Sequence, residues 1–476
     1  MGAAGAAPIR IPADLTFYFE YYSIFLEISL PLCYNRFTPQ NSRITALLLC
    51  SELRFFRACN VNQTARLLRD FSCVRRKMDH RQLILDTLEG RPTPFLPFIP
   101  RLDLWYNGNR HCGTLPDRFK DASLRDICDE LQVGFHTTTA DMSDFRDIPD
   151  ADADIGLGIY HIKANPYIIT LHNVGRTVDR SVPGVTRTTY ETPYGVLSAA
   201  TTYDDRMAES GITMRVITER LIKSPEDFKA AGYLFDNIEL TPDYEPLRRY
   251  QEEFLGDRGL AAAWAQTQTC AMQLIEKELM KFEDFVLEMY TEPEEVEELA
   301  SHIDPYLDRV NDLCTASPAR LVTCGGNYDV TITYPDLFAK YFTPALRKKA
   351  DKAHAAGKYL IAHTDGESNF LLDEFVKAGF DIADSVAPAP LTKLTLREFY
   401  DALSPTMTIW GGVPSIAMLE ETMSDKEFAA YIDDLFTQIG DGRHMIVSVA
   451  DTLPPKAKFS RIELLSKACR EFGPIS

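Results

Sequence analysis

Five short stretches in the C-terminal half of the chain run into residues able to move protons or orient a substrate. Arg320-Leu-Val-Thr-Cys324 leads to Gly325-Gly-Asn327-Tyr-Asp329, and Lys358-Tyr-Leu-Ile-Ala362 to His363-Thr-Asp365-Gly-Glu367. Phe380-Asp-Ile-Ala383 is followed by Asp384, Met407-Thr-Ile-Trp410 by Gly411-Gly412, and His444-Met-Ile-Val-Ser-Val449 by Ala450-Asp451. An imidazole and several carboxylates form the usual inventory of general acids and bases. They serve a common site only if the fold brings these distant stretches together.

The elements around them predict that it does. Each stretch is short and rich in β-type residues, and helical patterns lie between them: Pro335 to Ala356, Phe370 to Ala378, Thr395 to Leu403 and Asp425 to Ile439. Alternating β and α units imply a parallel sheet. In a closed parallel barrel the C-terminal strand ends gather at one mouth, where active sites lie. A doubly wound open sheet would also gather strand ends, but no GxGxxG follows a first strand. The expected fold class is therefore α/β, a (β/α)8 TIM-type barrel.

Upstream, Arg81 to Leu88 has helical spacing and stops at Gly90 and the prolines beyond it. Phe95 to Ile99 is a short apolar run, Ser123 to Leu131 reads as a capped helix, and about 145–220 suits strands and hairpins. From Ser224-Pro-Glu-Asp227 the pattern turns helical. Residues 282–300 are strongly acidic, which a solvated helix face explains better than an acidic binding role.

The whole chain carries a formal charge of −19, which argues against nucleic acid or an anionic membrane as the main partner. Ten cysteines without a CxxC pair suit a reducing cytoplasm. The most apolar stretch, Leu15 to Cys33, is interrupted by Glu20 and Glu27 and does not read as a membrane span. Residues 1–77 stand apart, with ten basic and five acidic residues, which leaves −24 on the rest. Three readings stay open for this segment: an extension upstream of a natural start at Met78, an organelle-targeting segment, or a helical appendage. Residues 78–476 are expected to form the barrel.

Over about Met78 to the C-terminus, the chain resembles the uroporphyrinogen decarboxylase (URO-D) superfamily. The resemblance rests on Pro97-Phe-Ile-Pro-Arg-Leu-Asp-Leu-Trp-Tyr106, Gly113-Thr-Leu-Pro116, Glu191-Thr-Pro-Tyr-Gly195 and Ile222-Lys-Ser-Pro-Glu-Asp-Phe228. It continues through Tyr334-Pro-Asp-Leu-Phe-Ala-Lys-Tyr-Phe-Thr-Pro344, His363-Thr-Asp-Gly366, Gly411-Gly-Val413 and Leu453-Pro-Pro455. Their order and spacing, more than any one piece, carry it. The superfamily contains the heme-pathway decarboxylase and corrinoid-dependent methyltransferases, and its members suggest a homodimer. The decarboxylase holds its polycarboxylate with arginines near the start; here that stretch keeps only Arg101 and adds an acid and two aromatics. The methyltransferase branch fits better.

Methyltransferases of this superfamily hold zinc through His-x-Cys after one strand and a Cys after the last. The matching positions here are His363, Asp365 and Asp451, so both cysteines are replaced by aspartates. The resemblance thus implies Zn2+ at a harder ligand set, suited to polarising an ether oxygen. The expected reaction is O-demethylation: transfer of methyl from an oxygen-linked donor, such as a methoxylated aromatic, to a corrinoid (cobalamin) protein. The chain has no DxHxxG corrinoid signature of its own, so the corrinoid arrives on a partner. Asp329 joins the candidate catalytic set. Asn327, Trp105, Tyr106, Arg101, Glu191 and Asp384 are candidate substrate contacts. Metal-free catalysis by the same acids and purely structural roles both stay open. So do a uroporphyrinogen decarboxylase proper and a non-catalytic barrel that binds a tetrapyrrole or a corrinoid protein.

Overall fold

The computed structural model describes residues 78–148, 164–212, 214–266 and 268–476, and the expectations for residues 1–77 lie outside them. Met78–Ser476 forms one compact unit. Helix α1 (His80–Leu88) opens it, with Asp79 accepting from the Gln82 N–H as the cap. Helices α2 (Asp103–Cys112) and α3 (Leu124–Leu131) follow, the latter closed by a capping box between Ser123 and Asp126. The mid-chain region forms strands as expected: β1 (Tyr167–Leu171), β2 (Gly175–Asp179), β3 (Val185–Thr192), β4 (Gly195–Thr202) and β5 (Val216–Glu219); β6 (Ile238–Pro242) falls beyond it, where the pattern reads as helical. β2 to β5 make an antiparallel four-stranded sheet, and β1 pairs with β6.

Six parallel strands follow, hydrogen-bonded in chain order: β7 (Ala262–Gln266), β8 (Leu321–Gly326), β9 (Tyr359–His363), β10 (Ile382–Val386), β11 (Thr408–Pro414) and β12 (Met445–Ala450). Two further segments close the circle. The Ile99 N–H donates to Val447 O at 2.9 Å and the Val447 N–H to Pro97 O at 2.8 Å, which sets residues 97–99 beside β12. The Gly134 N–H donates to Phe98 O, and the Ala262 N–H to Thr137 O, so residues 134–137 bridge that segment to β7. The result is the (β/α)8 barrel expected from the sequence, its eight rungs made of six regular strands and two short ones. No helix among the described residues is long and apolar enough to cross a membrane.

The strand interiors are buried on both faces, as helix-covered parallel strands must be. Inside the barrel, Ile99, Leu260, Ala262, Leu321, Ile361, Ile382, Trp410 and Ile446 pack as one apolar cluster, and Ile84 of α1 joins it. Trp410 is its largest member, and its indole N–H donates to Ile99 O at 3.0 Å. This pairing satisfies the buried donor and ties β11, past β12, to the first rung. Trp410→Ala is expected to lower stability by about 3–5 kcal/mol, as loss of a fully buried aromatic does. Urea unfolding followed by circular dichroism checks this; an unchanged midpoint would count against the tie.

Candidate metal centre

The mouth is built from strand ends. His363 is the last residue of β9, Asp365 lies two residues beyond it, and Asp451 directly follows β12. One nitrogen of His363 and one oxygen from each aspartate lie within 4.8 Å of one another. His363 Nε2 is 3.2 Å from an Asp451 carboxylate oxygen. Residues 88 apart along the chain meet because parallel strands deliver their C-terminal ends to one rim.

Strand register accounts for the next shell. Asp384 of β10 is the direct partner of His363 in the parallel ladder, and side chains at paired positions point the same way. Asp384 Oδ2 lies 2.8 Å from His363 Nδ1, and its other oxygen lies 3.2 Å from His136 Nε2. A carboxylate on Nδ1 fixes the tautomer and leaves Nε2 facing Asp451 and Asp365. Asp384 is therefore an orienting group between two imidazoles, not the substrate contact expected. It is 3% exposed, with a histidine on each carboxylate oxygen.

Arg101 donates to Asp451 at 2.8 Å and approaches Asp103 at 3.2 Å. Thr452 reaches Asp103 in turn, and the Leu453 N–H donates to Arg101 O. The segment after the first rung is thus laced to the segment after the last, and Asp451 is held from both sides.

These contacts perturb the acids and bases. Burial opposes charge on His363, but its bonds to Asp384 and Asp451 outweigh that and raise its pKa to about 10. Burial, then the charge of Asp451, lifts Asp365 to about 6. Asp384 is held below the usual carboxylate range by His136 and His363, which overcome its burial. Asp451 is likewise lowered, chiefly by Arg101 and His363 against its burial. Two desolvated carboxylates facing one imidazole are a donor set that a divalent cation would relieve, so the residues fit a metal.

Other expected site residues fall elsewhere. Asp329 is buried, and its oxygens accept from the Thr331 and Glu367 N–H groups at 2.8 and 3.0 Å, so it shapes the loop. Glu367 does the same for the Asn369 and Lys393 N–H groups. Asn327 sits at the rim with a left-handed φ of 55°, its N–H donating to His363 O. Trp105 and Tyr106, expected as substrate contacts, are packed in the core. Trp105 is 2% exposed and stacks on Phe459 at 5.1 Å, while the Tyr106 hydroxyl donates to Ala122 O. Both lie on the core-facing side of α2, which the spacing of its apolar residues dictates. Glu191 lies on β3, paired with Gly175 and Val196 in the antiparallel sheet outside the barrel.

Two residues of the mouth went unread in the sequence. His136 sits in the second rung, Val133-Gly-Phe-His-Thr137, whose Gly and mixed polarity hide its β character. Lys277 lies in a one-turn π-helix (Ile275–Leu279) after β7, and its ammonium reaches the carbonyls of Gly326, at 3.3 Å, and Asn327. Gly326 itself is pressed against the site: a Cβ there would lie 2.9 Å from that of His363.

The Uroporphyrinogen decarboxylase (URO-D) family matches residues 207–472, and the chain belongs to that family. Among curated proteins, none matches. Among solved structures, the chain is similar to a methyltransferase from Methanosarcina mazei, with 10% identity, 83% of this chain and 98% of that chain covered, and a TM-score of 0.49.

The raised pKa of His363 has a consequence for stability. The folded chain holds that proton up to about 10, whereas an unfolded histidine loses it near about 6.5. The contribution is complete below the unfolded value and is lost as pH rises through about 10. Asp384→Asn removes the main partner, so the His363 pKa should fall toward the ordinary range and the loss should begin at lower pH. NMR titration of the imidazole, metal-free, reads this directly; an unshifted titration would show that Asp384 does not govern it.

Proposed function

We propose that this chain moves a methyl group from a small oxygen-linked donor, such as a methoxylated aromatic, to a corrinoid carried by a partner protein, with a divalent metal, zinc first, held by His363, Asp365 and Asp451. The observation that supports it best is the convergence of those three donors within 4.8 Å, with Asp384 on the far nitrogen of His363. When bound there, a metal with one imidazole and two carboxylates supplies a Lewis acid harder than a thiolate-held one, suited to polarising an ether oxygen.

The chain's own groups do the rest. Asp384 keeps the Nε2 of His363 turned toward the two aspartates, and Arg101 pins Asp451 so that the carboxylate does not swing away. His136 shares Asp384 and T-stacks on Trp410 at 5.0 Å, which couples the site to the barrel core. The partial burial of all three ligands removes them from bulk water, which strengthens their action on a bound oxygen.

The mouth suits a polycarboxylate poorly. Asp365 and Asp451 face it, and Arg101 is already engaged by Asp103 and Asp451. This weighs against the decarboxylase. Metal-free acid catalysis is the second reading, favoured by the direct approach of His363 to Asp451 and by the raised pKa of Asp365. In that case Asp365 is the proton donor to the leaving oxygen.

Metal titration separates the two. Binding at Nε2 must expel the His363 proton, so affinity should rise about tenfold per pH unit between the Asp365 and His363 pKa values, and more steeply below the lower one. His363→Ala and Asp451→Asn should each lose stoichiometric metal and methyl transfer together. A metal-free chain at full activity would leave the acid reading standing. A His363→Ala variant that keeps its in-cell function would point to a non-catalytic binding barrel.

We also propose that the unit from Met78 carries the whole activity. A chain of residues 78–476 is expected to match the full chain in kcat/KM and melting temperature, and failure to fold would show that the first 77 residues are needed.

A further inference from the structure

Helix α4 (Phe282–Thr291) follows the one-turn π-helix and precedes the long barrel helix α5 (Pro293–Ala316). Its inner side is ordinary, with Phe285 buried and Met289 packed against the core. Its outer side is solvated, as expected from the acidic sequence, but it is not uniformly polar. Phe282, Val286, Leu287 and Tyr290 stand exposed at helical spacing, from 37% for Phe282 to 88% for Tyr290. Four of the eleven large exposed hydrophobics among the described residues thus fall on one ten-residue helix. Contiguous exposed apolar surface with a polar rim marks an interaction site.

The rim selects the occupant. Helix α4 and its C-cap carry four carboxylates, Glu283, Asp284, Glu288 and Glu292, and no lysine or arginine. A two-fold pairing of identical chains would set this rim against itself, and like charges face to face cost association. A protein presenting an apolar patch framed by lysines and arginines meets both features. Position gives the reason for docking here. The connection from β7 to α5 lies on the mouth side, and it carries Lys277, whose ammonium sits on the rim carbonyls next to His363. A partner seated on α4 is therefore beside the opening through which its cargo must reach the metal ligands.

We propose that the outer face of α4 is the docking surface for the protein that accepts the methyl group, a partner with an apolar patch ringed by basic residues. The partner's identity rests on the methyl-transfer reading above; the surface and its chemistry rest on α4 alone.

The test uses the full chain with two acceptors, free cob(I)alamin and a purified corrinoid protein. Leu287→Ser with Tyr290→Ser should raise KM for the corrinoid protein about tenfold or more, as loss of central interface residues does. Transfer to free cob(I)alamin should stay within about twofold. A charge-reversed variant, Glu283→Lys with Glu288→Lys, should raise the same KM, and added salt should raise it for the unaltered chain. Equal losses with both acceptors, or no loss with the corrinoid protein, would overturn the proposal. So would an unaltered chain that runs as a dimer in light scattering while the Leu287/Tyr290 variant runs as a monomer, since a second copy would then occupy the face. An unaltered chain inactive with both acceptors would refute the methyl-transfer reading and, with it, the assignment of the partner.

Discussion

A single buried carboxylate organises the mouth. Asp384 lies inside β10 with an imidazole on each oxygen, His363 from the adjacent strand β9 and His136 from the second rung on the opposite side of the barrel. Burying an unpaired carboxylate costs several kcal/mol, so the pairing is obligatory once the barrel closes around it. That pairing decides which nitrogen of His363 looks outward. Everything proposed for the site depends on that outward nitrogen meeting Asp365 and Asp451.

The barrel supplies the meeting. Asp451 and Arg101 come from the connections after the last and first rungs, and their ion pair spans the seam where the sheet closes. His363 and Asp384 come from adjacent strands in register. The apolar interior beneath them, capped by Trp410 and its bond to Ile99 O, fixes the rungs on which these side chains stand. Rigid strands under a polar rim are what lets a few donors keep a fixed geometry.

Much of this was legible in the sequence where one stretch is enough to reveal it. The five C-terminal strands lie within a few residues of where their β-type runs place them, and Thr395 and Ser424 cap the helices expected after them. The three proposed ligands were visible as polar residues at strand ends. What stayed hidden depends on register and closure, which no single stretch encodes. Ala262-Ala-Trp-Ala-Gln266 lacks β-branched residues, and the 134–137 rung is too short and polar to stand out, so β7 and His136 were missed. Asp384 read as a substrate contact because its ladder partner was unknown. Glu276-Lys-Glu278 looks like a solvent-facing helical run, yet both glutamates are buried and the lysine reaches the rim. Trp105 and Tyr106 erred the other way, since an aromatic pair serves core or pocket equally well until its neighbours are known.

The central claim is that one imidazole and two carboxylates hold a divalent cation at the barrel mouth. X-ray absorption at the zinc edge of the protein loaded with one equivalent tests it most directly. The account predicts a first shell of nitrogen and oxygen near about 2.0–2.2 Å with an imidazole signature that disappears in His363→Ala, and no sulfur. A sulfur shell near about 2.3 Å, or a spectrum indistinguishable from the hydrated ion, would contradict it.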